Sequence, residues 1–231
     1  MAELPDRFLA WNYSGRRNHI KENLEKEMSF SDAMLGFLSH TPTLCTAHVR
    51  DDGTVFANGK VIGAGYVLKK EFIPEAVAAF RKYLKSPAEI GKRGSEEFKN
   101  YQRGALELLL KYHYIEMEEA KKKLDFSKIQ SIELVGYNKT DPTLPAHGWE
   151  AIQKNKDVCL IYYSPPFLSF EIRCTAEVHY EGLYHEYVNL THDLYHGGNV
   201  EKWKNRPTYI FNVTSVHDNS ATPQGFGKQI A

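Results

Sequence analysis

Two extended runs face each other across a tight turn, and this pairing constrains the chain more than any other feature. Thr43-Leu44-Cys45-Thr46-Ala47-His48-Val49 reads as a strand, and Val55 to Ala64 reads as its return. Between them lies Asp51-Asp52-Gly53-Thr54, in which Asp-Gly supplies the positive φ of a hairpin turn. Asn58-Gly59 predicts a bulge or a second turn in the returning strand. A local antiparallel pair of this kind needs further strands before it is stable. Such runs recur at Ile129–Tyr137, Val158–Tyr163, Leu168–Tyr180 and Pro207–Val216. In the fifth run Phe170, Ile172, Cys174, Ala176 and Val178 share one parity, the pattern of a half-buried strand.

Helical patterns fall between and before these strands. Residues 1–13 read as an arm carrying Phe8, Trp11 and Tyr13, and Ser14 as the cap of a helix from Arg16 to Met28. Ser29 and Asp32 begin a second helix that stops at His40-Thr41-Pro42. Pro74 opens a helix over Glu75–Leu84, and Ser95 caps a long helix to about Leu124 with an apolar face of Phe98, Tyr101, Ala105, Leu108, Leu109, Tyr112 and Ile115. Trp149–Lys154 and Tyr184–Tyr195 complete the set, the latter stopped by Gly197-Gly198. Asp218–Ala231 reads as a polar tail. The expected fold is therefore α+β, an antiparallel sheet of six strands that suits a small closed barrel, within a single domain of residues 1–231. Residues 1–42 form the N-terminal arm and helices, and residues 66–128 form a helical insertion between the second and third strands.

Charge and cysteine content exclude several functions. Lys plus Arg and Asp plus Glu both number 29, so the chain has no global basic footprint for nucleic acid or an anionic membrane surface. No apolar run is long enough to span a bilayer. Met1–Ala10 carries Glu3, Asp6 and Arg7 and lacks the apolar core of a secretory signal. The three cysteines, Cys45, Cys159 and Cys174, are odd in number, widely spaced and set in apolar runs. They read as reduced buried thiols of a cytoplasmic protein. The sequons at Asn12, Asn138, Asn189 and Asn212 then read as chance matches.

Three stretches together resemble the pyridoxamine 5'-phosphate oxidase-like, FMN-binding split-barrel superfamily. The first is Phe30-Ser31-Asp32-Ala33-Met34-Leu35-Gly36-Phe37-Leu38 leading into Thr43–Val49 and Asp52-Gly53. The second is Ile152-Gln153-Lys154-Asn155-Lys156-Asp157-Val158-Cys159-Leu160. The third is Glu171–Glu181 followed by the Tyr184–Tyr195 helix, Trp203 and Arg206-Pro207. The resemblance implies an antiparallel split β-barrel and a homodimer with FMN at the subunit interface, acting as an oxidoreductase on a small aromatic or conjugated molecule. Where the family often carries Ser and Lys to grip the flavin phosphate, this chain has Ala146 and Gly148. The dianion must then draw on some of Lys60, Lys139, Thr140 and Arg206, and Trp203 is the residue available to stack near the ring. A non-enzymatic binding module for flavin or another small ligand on the same barrel is the alternative.

A third reading rests on the residues alone. His192 and His196 lie four apart, so a helix puts them on one face, as in the zinc motif HExxH. His179, His185 and Glu186 are the candidates for a third ligand. Their place in the last helical turn also suits the helix dipole with no metal at all. An acid–base role for His192 and His196 is favoured over a metal site.

Overall fold

The computed structural model describes residues 1–26, 35–36, 38–132 and 147–231. Eight strands form one antiparallel sheet: β1 (Thr43–Val49), β2 (Val55–Val61), β3 (Gly65–Leu68), β4 (Leu124–Ser131), β5 (Asp157–Ser164), β6 (Leu168–His179), β7 (Thr208–Asp218) and β8 (Lys228–Gln229). Their order is β2-β1-β5-β6-β7-β4-β3, with β8 on β7. The helices are α1 (Asp6–Glu25), α2 (Ile73–Tyr83), α3 (Glu96–Tyr112), α4 (Met117–Lys123), α5 (His147–Lys154) and α6 (Gly182–His196), with a 3-10 turn at Val200–Asn205. The fold is α+β, as expected.

Chain connectivity forces the sheet to curl. β2 and β3 are the two ends of the strand order, yet only Ile62, Gly63 and Ala64 separate them. Seven strands laid flat would set those ends about 29 Å apart at roughly 4.8 Å per strand. The four steps from Val61 to Gly65 reach at most about 14 Å. The ends must therefore approach each other without pairing, which is the geometry of a split barrel. Gly65 permits a tight contact on the far side of this link, because a Cβ there would meet Gln130 Nε2 at 2.6 Å.

The interior is filled by Leu44 of β1, Leu160 of β5, Phe170 and Ile172 of β6 and Tyr209 and Phe211 of β7, all fully buried. α1 joins both flanks of the sheet. Phe8 packs edge-on against Tyr162 and Phe170, 5.0 and 5.3 Å between ring centres. One turn further, Tyr13 packs against Tyr66 and Phe126, and its hydroxyl donates to the Ile115 carbonyl at 2.8 Å.

Four local expectations are corrected. The N-terminal arm is instead the first half of α1, because Phe8, Leu9, Asn12, Tyr13 and Arg16 form one buried helical stripe. That stripe carries the helix through Ser14 and Gly15. The insertion starts later than residue 66: Gly65–Leu68 is a sheet strand paired with β4, so the helices lie between the third and fourth strands. The long helix breaks at His113, and Leu124–Ser131 is strand. The polar tail returns to the barrel, since Lys228–Gln229 pairs with β7 and Asp218 and Ser220 are fully buried. The part of the expected third strand beyond Ile132, most of the second helix, Lys139, Thr140 and Ala146 lie outside the described residues.

α2 and α3 dock on α6, and α3 also touches α1. Phe80, Ala105, Leu106 and Leu109 belong to the same apolar cluster as the barrel interior, whereas Ile90, Phe98 and Tyr101 form a small cluster of their own. Ser95 caps α3, accepting from the Phe98 amide at 3.3 Å.

Candidate functional site

Two polar arrangements stand out, carried by different walls of the barrel. The first is on the inward face of the β1–β2 hairpin. Because side chains alternate along a strand, Leu44, Thr46 and His48 of β1 share a face with Phe56, Asn58 and Lys60 of β2. Their register pairs Leu44 with Lys60, Thr46 with Asn58 and His48 with Phe56. The hairpin is pinned at its turn, where Gly53 has φ +81° and the Asp52 carboxylate accepts from the Thr54 amide and hydroxyl at 2.9 and 2.6 Å. α5 packs on β1 and β2, and the Asn155 side chain donates to the Ala47 carbonyl at 2.9 Å.

Thr46 is 3% exposed. Among the described residues neither its hydroxyl nor the buried Nδ1 of His48 has a hydrogen-bond partner. An unsatisfied buried polar group costs roughly 1–3 kcal/mol. Two of them beside an amide and an ammonium make a surface that a polar ligand would satisfy. Lys60 sits half-buried in this row.

The second arrangement surrounds the end of α6. Asp193 is 3% exposed. Its carboxylate accepts from the Trp203 indole at 2.7 Å, from Arg206 Nη1 at 2.8 Å and from His192 Nδ1 at 2.9 Å. Burial pushes the Asp193 carboxyl up, but the hydrogen bonds from His192, Arg206 and Trp203 outweigh it and hold the group below its ordinary value. Arg206 Nε also donates to Asn189 Oδ1 at 2.5 Å, and Asn189 Nδ2 to the His185 carbonyl at 2.8 Å. The glycine pair that stops α6 serves this network. Gly197 has φ +69°, and a side chain at Gly198 would run into the Asp193 carboxylate.

Trp203 and Arg206 are therefore brought together around Asp193, along with His192. Trp203 is buried with its N–H committed, and the Arg206 charge is neutralised by Asp193. Arg206 Nη2 is buried with no hydrogen-bond partner among the described residues, so one donor nitrogen remains. The His192 and His196 rings lie 4.7 Å apart, centre to centre. Two of the candidate third metal ligands are engaged elsewhere, His185 Nε2 with the Arg206 carbonyl at 3.1 Å and Glu186 with Arg81, while His179 Nε2 lies 3.3 Å from Glu177 and makes no hydrogen bond among the described residues. Among the described residues no group of three or more His, Cys, Asp or Glu is placed to hold a metal ion. α6 packs on α2, α3, β6 and β7, so His192 and Lys60 stand on separate walls of one chain.

Asp193, Thr46 and His48 were not singled out by sequence reasoning. Asp193 lies inside the His-Asp-x-x-His pattern, where its spacing beside two histidines draws attention to them rather than to itself. Nothing in the sequence signals that Thr46 and His48 lack partners, since that depends on what the opposite wall supplies.

For a flavin phosphate, the described residues offer the Lys60 ammonium, the Thr46 hydroxyl and the Asn58 amide in one row. This fits an anionic or polyhydroxyl ligand. Arg206 adds the two N–H groups of Nη2 and no net charge.

No family model and no curated protein matches the chain. Solved structures with a similar chain course include HupZ of Group A Streptococcus, at 10% identity and TM-score 0.38, covering 86% of this chain and 99% of that one. An F420 reductase aligns at 13% identity and TM-score 0.34, covering 78% and 92%. A putative pyridoxamine 5'-phosphate oxidase from Listeria innocua aligns at 12% identity and TM-score 0.36, covering 82% and 98%. Among the described residues no helix is long and apolar enough to cross a membrane.

Proposed function

We propose that the protein binds FMN on the inward face of the β1–β2 hairpin and acts, as a cytoplasmic homodimer, as an oxidoreductase on a small aromatic or conjugated molecule. The observation that carries this reading is the row of Lys60, Asn58 and the two unpartnered groups of Thr46 and His48. It lies on the hairpin whose sequence resembles the flavin-binding family. α5 packs on the same two strands, and Lys139 and Thr140, which precede it in the sequence, are the further donors we propose for the grip. Bound flavin would supply hydride or electron transfer. The chain's own task is then to neutralise the phosphate, satisfy the ligand's hydroxyls and orient it. Asp193 fixes the orientation of the His192 ring, which is the proposed proton-handling group. The apolar side chains exposed on β1 and β2, Val49, Val55 and Val61, are surface that a second copy would cover.

The test is FMN titration followed by flavin fluorescence. A charge-assisted bond is worth roughly 1.5–3 kcal/mol, so Lys60→Ala should weaken FMN by about one to two decades. Thr46→Val should weaken it by about tenfold or less. A wild-type protein that does not bind FMN refutes the flavin reading. Bound FMN that no nicotinamide or substrate panel reduces leaves the binding module as the surviving reading.

A further inference from the structure

The outward face of the same strands holds a feature that the flavin reading does not use. Cys45 of β1 and Cys159 of β5 are register partners in the antiparallel ladder. Both are free and half-buried, whereas Cys174 is buried and, by strand parity, belongs to the opposite face. Directly opposed residues of an antiparallel pair have Cα atoms about 4.5 or 5.5 Å apart, according to their place in the ladder. Either spacing falls within the roughly 4.4–6.8 Å that a disulfide spans. The Cβ atoms of such a pair stand about 4.5–5.5 Å apart, so closure asks for a movement of roughly 1 Å or less to reach the disulfide range.

The surroundings leave a way in. The residue beside Cys45 on β2 is Gly59, and a Cβ built there would meet nothing nearer than Thr43 Cγ2, at 3.6 Å. On the other side of Cys159 stands Arg173, exposed and paired with Glu171 at 2.7 Å. Burial, then the negative charge of Glu171, raises both thiols, and Cys159 is pushed up to about 12. The pair is thus protonated at rest, with Cys45 the more available sulfur.

We infer that Cys45 and Cys159 form a two-thiol site that closes to an intrachain disulfide by exchange with a low-molecular-weight disulfide such as oxidised glutathione. The inference is independent of the flavin reading. In the first step the Cys45 sulfur, having lost its proton, attacks one sulfur of the oxidant. A mixed disulfide forms and one glutathione thiol leaves with a proton. In the second, Cys159 attacks the Cys45 sulfur, the protein disulfide forms and the second glutathione leaves as a thiol. Two electrons pass from the protein pair to the oxidant, and the two thiol protons end on the two glutathiones. A second copy seated on this face would slow the exchange without changing its product, since both sulfurs belong to one chain.

The experiment equilibrates the full chain with oxidised glutathione, traps thiols with an alkylating agent, and reads free thiols and peptide masses. Of the three cysteine thiols, one is expected to remain, with a peptide linking Cys45 to Cys159. Cys159→Ser is expected to stop at the glutathione adduct on Cys45, and Cys174→Ser to close like the wild type. Three free thiols in the wild type at equilibrium would overturn the inference. So would a bridge that uses Cys174, or one that joins two chains on a non-reducing gel. Far-UV circular dichroism of each variant separates loss of the pair from loss of the fold.

Discussion

Acid should weaken this protein through His113. The residue caps the end of α3 and is 2% exposed, with its Nδ1 sharing a 2.7 Å hydrogen bond with the Tyr187 hydroxyl. Burial, and then the Arg16 charge, lower it from its ordinary 6.5 to about 3. The folded state therefore holds His113 neutral while the unfolded chain takes a proton near pH 6.5. The stabilisation is fully present above that value and is lost progressively as pH falls towards 3. Each unit of difference is worth about 1.4 kcal/mol, so at pH 5 the loss from this group is about 2 kcal/mol. With an unfolding slope of about 2 kcal/mol per molar urea, the midpoint should fall by about 1 M between pH 7 and pH 5. His113→Gln keeps a polar partner for Tyr187 and does not titrate. It should lose less stability than the wild type over the same interval, by about 2 kcal/mol. His40 and His185 are also lowered, chiefly by burial, so the variant keeps part of the slope. Equal slopes for the two proteins would refute the assignment.

Removing the charge of Asp193 with Asp193→Asn strands Arg206 and weakens two further hydrogen bonds; urea unfolding should show a loss of about 2–3 kcal/mol, below the full value of a wholly buried pair because Arg206 is partly exposed. A loss under about 0.5 kcal/mol would reduce the network to a surface contact. Gly53→Ala places a Cβ at φ +81° and should cost about 1 kcal/mol or more. Gly59→Ala, where a Cβ has room, should be close to neutral by the same urea unfolding, and the reverse order would contradict the turn geometry.

The strands that were legible in the sequence are those whose signal is local. Asp52-Gly53 announces its turn because a positive φ and an Asp side-chain bond are properties of four adjacent residues. β6 announces itself by the alternation of Phe170, Ile172 and Cys174. Gly65–Leu68 was illegible for the opposite reason: all four residues are buried, so it carries no alternation, and it is too short to declare a period. The start of α1 was hidden because Ser14-Gly15 mimics a cap, while the stripe from Phe8 to Arg16 gains its meaning only from the walls it touches. At the site, Lys60, Trp203 and Arg206 were readable as residue types. The pairing of Arg206 with Asp193 was not, since it depends on Gly198 leaving room for the carboxylate. The Cys45–Cys159 pairing depends on the register of β1 against β5, over a hundred residues apart, which no local pattern encodes.

The position of β7 bears on how the chain can fold as it is made. Among the described residues β7 is the sole bridge in the strand order between the group β2-β1-β5-β6 and the pair β4-β3, yet it follows all six of those strands along the chain. A nascent chain that has reached Arg206 holds two sheet fragments that no ladder among the described residues joins, with α1 already packed on Phe170 but the β7 wall beside Ile172 still missing. Barrel closure must therefore wait until Asp218 has left the ribosome. Until then the helices of the insertion, whose contacts are shorter in range, are the part of the molecule able to organise first. A stop or a cleavage before residue 208 would release not a smaller barrel but two open-edged fragments, prone to pair with one another between chains.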